Sequence, residues 1–293
     1  MPDHKQGHKQ DQNQDQGRRR TPRSGWAAQT AVFLAVAVLA AGLCGALQPA
    51  TGIPPEVLQL TQFGPALAVA AVALLWPGRI RDRLTGTLPA RSKGAADHEA
   101  RPPSGNRAAF LLTPALIAAL SAGGALLASG SLPVTSPPAF AHPLALLVTA
   151  QLIGACAEEI GWRCYLQPLL RTRFGPVTAS VLVGTAWGLW HVPPLTQEPA
   201  FAAGFLTATI AMSVILGLAL ERVRSNRLLL AGGFHTLINL GMLFVTDEAS
   251  PATGPMVVFG AACLAAALPW IGSARRPATT PDRITAATAN EQR

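Results

Sequence analysis

Charge is scarce in this 293-residue sequence: Asp, Glu, Lys and Arg together make up 13%, against 49% hydrophobic residues. Soluble domains carry about 25% charged residues, so one or two ordinary soluble domains are excluded. Cysteine is also scarce. Cys44, Cys156, Cys164 and Cys263 all lie in apolar segments and none forms a CxxC pair, which argues against a disulfide framework or a cysteine-rich zinc site. HExxH does not occur, so the common zinc-protease helix is missing, and no internal repeat is evident. The net charge of +8 does not point to nucleic acid, because the basic residues sit in short stretches between apolar runs.

Long apolar runs are what the sequence does contain. Eight segments are expected to be helices: Trp26–Leu47, Val57–Trp76, Ala108–Gly130, Pro143–Leu170, Pro176–Val192, Phe201–Leu220, Leu228–Val245 and Pro255–Ile271. Most approach the ~20 residues that cross a hydrocarbon core. Only helices satisfy their backbone within a lipid-exposed segment of this kind. The expected fold class is therefore all-α, a polytopic bundle of about eight transmembrane helices, whose first partner is the lipid bilayer. It is read as a multi-pass protein of a bacterial cell membrane. Residues 1–25 and 273–293 read as polar tails flanking a membrane domain over 26–272, with the core at 143–245. His4 and His8 could catch a metal, but a solvated low-complexity tail is the simpler reading. Pro77–Arg107, basic and rich in Pro and Gly, reads as a linker.

The charges orient the bundle. Every Lys and Arg except Arg163 falls in the N-terminal tail, Pro77–Arg107, Arg171 and Arg173, Glu221–Arg227 or the C-terminal tail. The intervening loops carry only Glu56, Glu198, Asp247 and Glu248. The positive-inside rule then predicts both termini in the cytoplasm.

A few side chains do not suit lipid. Glu158, Glu159 and Arg163 lie within an otherwise apolar segment, where a charge costs at least ~2.5–3.5 kcal/mol. Glu159 and Arg163, four apart on one helical face, could form a structural ion pair; Glu158 is then left over. His191 closes the fifth segment, which stops at HVPP, and His235 and Asn239 share a face of the seventh. Gly184 and Gly188 form a small-xxx-small pattern suited to close helix contact, and Gly232 and Gly233 could act alike. Alone, each histidine reads as a packing residue. Together, carboxylates, imidazoles and an amide suit carbonyl hydrolysis, with a carboxylate as general base and His or Asn donating to an oxyanion. The same set could hold a divalent metal such as zinc through Glu158, His191 and His235.

Glu158-Glu159-x-x-x-Arg163, Trp187-x-x-x-His191 and His235-x-x-x-Asn239, in order on successive membrane segments, resemble the three motifs of the CPBP family. This family comprises the type II CAAX prenyl endopeptidases and their relatives, the intramembrane metalloproteases, abortive-infection and bacteriocin-immunity proteins. The second motif usually begins with Phe, so Trp187 reads as a conservative aromatic change. The resemblance implies that Glu158 activates water together with His191, and that His235 and Asn239 stabilise the oxyanion. It further implies that Glu159 supports the site and pairs with Arg163, which helps to place a membrane-associated peptide or protein substrate. A metal-bound and a metal-free glutamate mechanism are both compatible with it. A proton-coupled transporter, or a non-catalytic immunity or scaffold protein, are the competing readings. One geometric tension remains in the sequence: at 1.5 Å per residue, His191 lies too deep to meet Glu159 and His235 unless its helix tilts or starts below the membrane surface.

Overall fold

The computed structural model describes residues 25–84, 86–88, 104–130, 142–223, 225–245 and 252–275. The polar tails expected over 1–25 and 273–293 lie almost wholly outside them, as do His4 and His8. The described residues build an all-helical bundle. Its helices are α1 (Gly25–Thr51), α2 (Gly64–Leu75), α3 (Pro77–Arg83), α4 (Ser104–Ser129) and α5 (Leu144–Arg171). They continue with α6 (Pro176–Trp190), α7 (Pro199–Ala219), α8 (Arg227–Val245) and α9 (Thr253–Arg275). Each of the eight apolar segments contains one of these helices. Five regions are long and apolar enough to cross a membrane: Gly25–Thr51, Arg107–Ser129, Leu144–Arg171, Pro199–Ala219 and Thr253–Ala274. Shorter apolar helices fill in between them, as in Leu60–Leu75 and Arg227–Leu243. Leu39, Leu74 and Leu127 are 72%, 84% and 90% exposed, so these faces meet lipid. The chain is a multi-pass integral membrane protein.

Two expectations need correction. Val57–Trp76 is not one uninterrupted span, because a 3-10 turn at Leu60–Phe63 precedes α2. Pro65 stands in the first turn of α2, where a residue without N–H is tolerated and the helix naturally begins. The supposed linker starts with a helix, α3, while 89–103 fall outside the described residues. Helix α5 is also not regular throughout: Trp162–Leu166 forms a π-helical turn, closed by Gln167 N–H on Trp162 O. Pro168 follows directly; it has no N–H to return to Cys164 O and its ring crowds that carbonyl, so the chain widens there.

Helix α7 packs most extensively against α9 and α6, while α5 is gripped between α8 and α2. The α6–α7 contact is close because Gly184 lacks a side chain. A Cβ there would stand 2.7 Å from Ile210 Cα and 3.0 Å from Thr209 O, which is backbone that cannot step aside. Gly184→Ala is therefore expected to cost about 1–3 kcal/mol by overpacking, read as a lower unfolding midpoint in detergent. Gly232 likewise sits against Cys156 of α5, whereas Gly233 faces open space. The pattern of small residues thus works at three of the four expected glycines, since a Cβ on Gly188 would meet Thr209 Oγ1 at 2.5 Å.

Candidate active site

The two acidic residues are neighbours in sequence and have separate surroundings. Glu158 is 1% exposed and accepts two hydrogen bonds, from Gln62 Nε2 at 3.2 Å on Oε1 and from Trp187 Nε1 at 2.8 Å on Oε2. Each oxygen keeps a further lone-pair direction for a reactant. Glu159, fully buried, turns to α8 and its own helix. Its Oε1 meets His235 Nδ1 at 3.0 Å, and Oε2 lies 3.4 Å from Arg163 Nε. The expected Glu159–Arg163 ion pair is thus present, as a contact of charges rather than a hydrogen bond. The Arg163 guanidinium carbon also sits 5.0 Å from the Trp187 ring centroid, a cation–π arrangement in a dry setting.

His191 owes its position to the end of α6. Pro193 and Pro194 cannot continue the helix, and His191 takes φ −82°, ψ 84°. Its backbone N–H falls on Gly188 O instead of Trp187 O. The orphaned Trp187 carbonyl is then taken by the His191 ring, with Nδ1 at 2.8 Å. A carbonyl oxygen only accepts, so Nδ1 carries the proton, and in the neutral ring the lone pair is on Nε2. His235 is anchored in the same sense, by its Nδ1 on a carboxylate. Its ring packs on Trp187 with centroids 5.1 Å apart. Trp187, whose indole holds Glu158, thus packs against both imidazoles, its ring centroid 6.0 Å from that of His191.

Glu158, Glu159, Arg163, Trp187 and His235, all buried, are therefore brought together with the half-buried His191. Asn239 stands one turn further along α8, half-buried, and gives an Nδ2 hydrogen to Gln151 Oε1 at 3.1 Å. Gln151 in turn donates to Val57 O at 3.2 Å. At the start of α8 the N–H groups of Asn226, Arg227 and Leu228 bond to the carbonyls of Leu88, Gly86 and Thr87, which ties this end of the helix to the segment after α3.

Two side chains at the site escape a reading based on charge and histidine. Gln151 is a lone amide in an apolar stretch, and that isolation is the signal that could have found it; Gln62, with Gln59 and Thr61 close by in LQLTQF, offered no such signal. Trp187 also gains a role. Its indole N–H holds Glu158, which a phenyl ring could not do, so Trp for Phe at this position is not a conservative change. Trp187→Phe removes a bond to a charged group worth ~1.5–3 kcal/mol, and reactivity dependent on Glu158 is expected to fall roughly tenfold to a hundredfold in kcat. An unchanged kcat in this variant would deny the indole any part in holding the carboxylate.

The free Nε2 atoms of His191 and His235 have the anchoring that metal-binding imidazoles require. Among the described residues, however, no three His, Cys, Asp or Glu side chains converge as a ligand set.

The sequence from the start of α5 to Gly241 holds every residue of this group except Gln62. Residues 140–241 match the family model of type II CAAX prenyl endopeptidases, described as Rce1-like. The chain is also similar to a protein named CAAX prenyl protease 2 from Methanococcus maripaludis, at 31% identity over 110 residues. That alignment covers 33% of this chain and 40% of the relative. A Staphylococcus aureus protein named lysostaphin resistance protein A is 26% identical over 106 residues, covering 36% of this chain and 25% of its own length. The chain thus spans well under half of either relative. Helices α1 to α4, and Gln62 with them, lie outside the matched region.

Proposed function

We propose that this chain is an intramembrane endopeptidase, cleaving a peptide bond of a membrane-associated peptide or protein substrate with water activated by Glu158. The observation that carries the reading is the placement of Glu158, fixed by two donors, beside two imidazoles that both leave Nε2 unengaged. The match of residues 140–241 to an endopeptidase family supports the same chemistry. Water lies between Glu158 and His191 Nε2 and loses its proton to the carboxylate as its oxygen attacks the carbonyl carbon. The oxyanion that forms accepts from His235 Nε2, a donor when the ring carries both protons, and from the second Nδ2 hydrogen of Asn239. Collapse breaks the C–N bond, and the proton held by Glu158 passes to the departing amine. Glu159 holds the His235 ring in place.

The mechanism proposed is the metal-free one, in which Glu158 itself takes the proton of water. The positive-inside rule places the Arg171–Arg173 and Glu221–Arg227 loops in the cytoplasm, so the substrate arrives from that side or laterally through the bilayer. Purified protein reconstituted with a library of membrane-anchored peptides is expected to cleave a subset of them, and to keep cleaving after dialysis against a chelator. Loss of cleavage on chelation, restored by zinc, would replace the glutamate mechanism with a metal one. Ion or substrate flux across proteoliposomes without any cleavage would instead favour a carrier.

A further inference from the structure

Behind the proposed catalytic group lies a second feature with no part in that chemistry. A cleft of about 320 Å³ runs between the last turns of α5 and α7 and the start of α8. This volume is at the low end of small-ligand sites, which span ~300–1,000 Å³. Arg171, Glu221 and Arg227 stand at its mouth; Gln167, Leu216 and Leu220 line its wall; Arg163 forms part of its floor. Of the three arginines, Arg171 is engaged by Glu221 through Oε1 and Oε2 at 2.6–3.1 Å and Arg163 faces Glu159, which leaves Arg227 without a carboxylate partner among the described residues. Donors inside it are in surplus. Arg163 is 2% exposed, yet its Nη1 and Nη2 have no hydrogen-bond partner, and the buried Nε of Arg227 has none either. The one unpartnered buried acceptor among these residues is Gln167 Oε1. A guanidinium buried without acceptors is costly unless an anion or ordered water completes it.

We propose that this cleft binds a phosphate group. A carboxylate offers two oxygens, whereas a phosphate offers three or four to the guanidinium donors set along the cleft, in the fork geometry that arginine suits best. The mouth is at the ends of membrane helices, where lipid headgroups lie, and basic pockets between such helices take anionic headgroups. Leu216 and Leu220 provide apolar wall for the ester arm. The source is a lipid headgroup or free phosphate, and the two are separable by experiment.

Native mass spectrometry of the full chain in a non-ionic detergent provides the test, and it needs no cleavage assay. The protein is titrated with dioleoylphosphatidylglycerol, with dioleoylphosphatidylcholine and with inorganic phosphate. Retention of one phosphatidylglycerol in preference to phosphatidylcholine supports the site with a lipid source; retention of inorganic phosphate alone supports it with a soluble one. Arg227→Gln, and separately Arg171→Gln, should each weaken the binding about fivefold, from ~1 kcal/mol per cation. Only folded protein holds ligand in this measurement, and the unfolding midpoint of each variant identifies any that misfold. Retention of neither phosphatidylglycerol nor inorganic phosphate, phosphatidylglycerol held no better than phosphatidylcholine with no inorganic phosphate held, or retention unchanged in both variants, overturns the proposal. Displacement by a peptide with a free C-terminal carboxylate, but not by its amide, overturns it too and gives the cleft to substrate.

Discussion

Glu158→Gln is expected to lower peptide cleavage by roughly 10²–10⁴-fold while the protein folds as before. This range is what a positioned general base contributes, and the amide cannot take the proton of water. The substitution is nearly isosteric, and its Oε1 can still accept from Trp187 or Gln62. The packing around a side chain that is 1% exposed is therefore kept. The effect belongs in kcat, with KM little changed, because Glu158 acts on the water and makes its gain in the transition state. Single-turnover cleavage of a membrane-anchored peptide, with the unfolding midpoint measured alongside, reads both quantities. A variant that cleaves within a few-fold of the parent would remove Glu158 from the chemistry. It would leave the site's order to be explained as packing alone.

The bundle was legible because a membrane simplifies the sequence code. Long apolar runs bounded by Pro, Gly and charge marked most helices to within a few residues, though not α3 or the start of α2, and Glu158, Glu159, His191 and His235 stood out against them. What stayed hidden depends on contacts between helices. Gln62 reaches Glu158 from a 3-10 turn 96 residues away in sequence, and no local pattern encodes that distance. The π turn at Trp162–Leu166 was foreshadowed only by Pro168, which could as well have kinked the helix. Trp187 looked interchangeable with Phe because side-chain hydrophobicity is visible in a sequence and an indole N–H partner is not. Asn239 was placed on the face of His235 by its spacing, as it is, but its tether to Gln151 comes from a third segment.

The neighbouring carboxylate should behave in the opposite way. Glu159→Leu is expected to destabilise the fold by about 3–5 kcal/mol, the usual cost of breaking a buried ion pair from one side. Glu159 and Arg163 are 0% and 1% exposed in their side chains, so neither charge can turn to water when its partner is lost. The substitution also strands His235 Nδ1, whose acceptor is Glu159 Oε1. Two groups are then left unsatisfied in a setting that cannot hydrate them. Adding Arg163→Met to Glu159→Leu should recover much of the loss, because an apolar pair of similar volume removes the stranded charge along with its partner. Denaturant unfolding in detergent, with the slope compared across the parent, both single variants and the double variant, measures that coupling. Stability close to the parent in Glu159→Leu would mean that the pair is hydrated or dispensable, and that Glu159 acts in catalysis instead. If the coupling is as large as expected, the adjacent acids divide the work: Glu158 is spent on reactivity at little cost in stability, and Glu159 keeps His235 and Arg163 where that reactivity needs them.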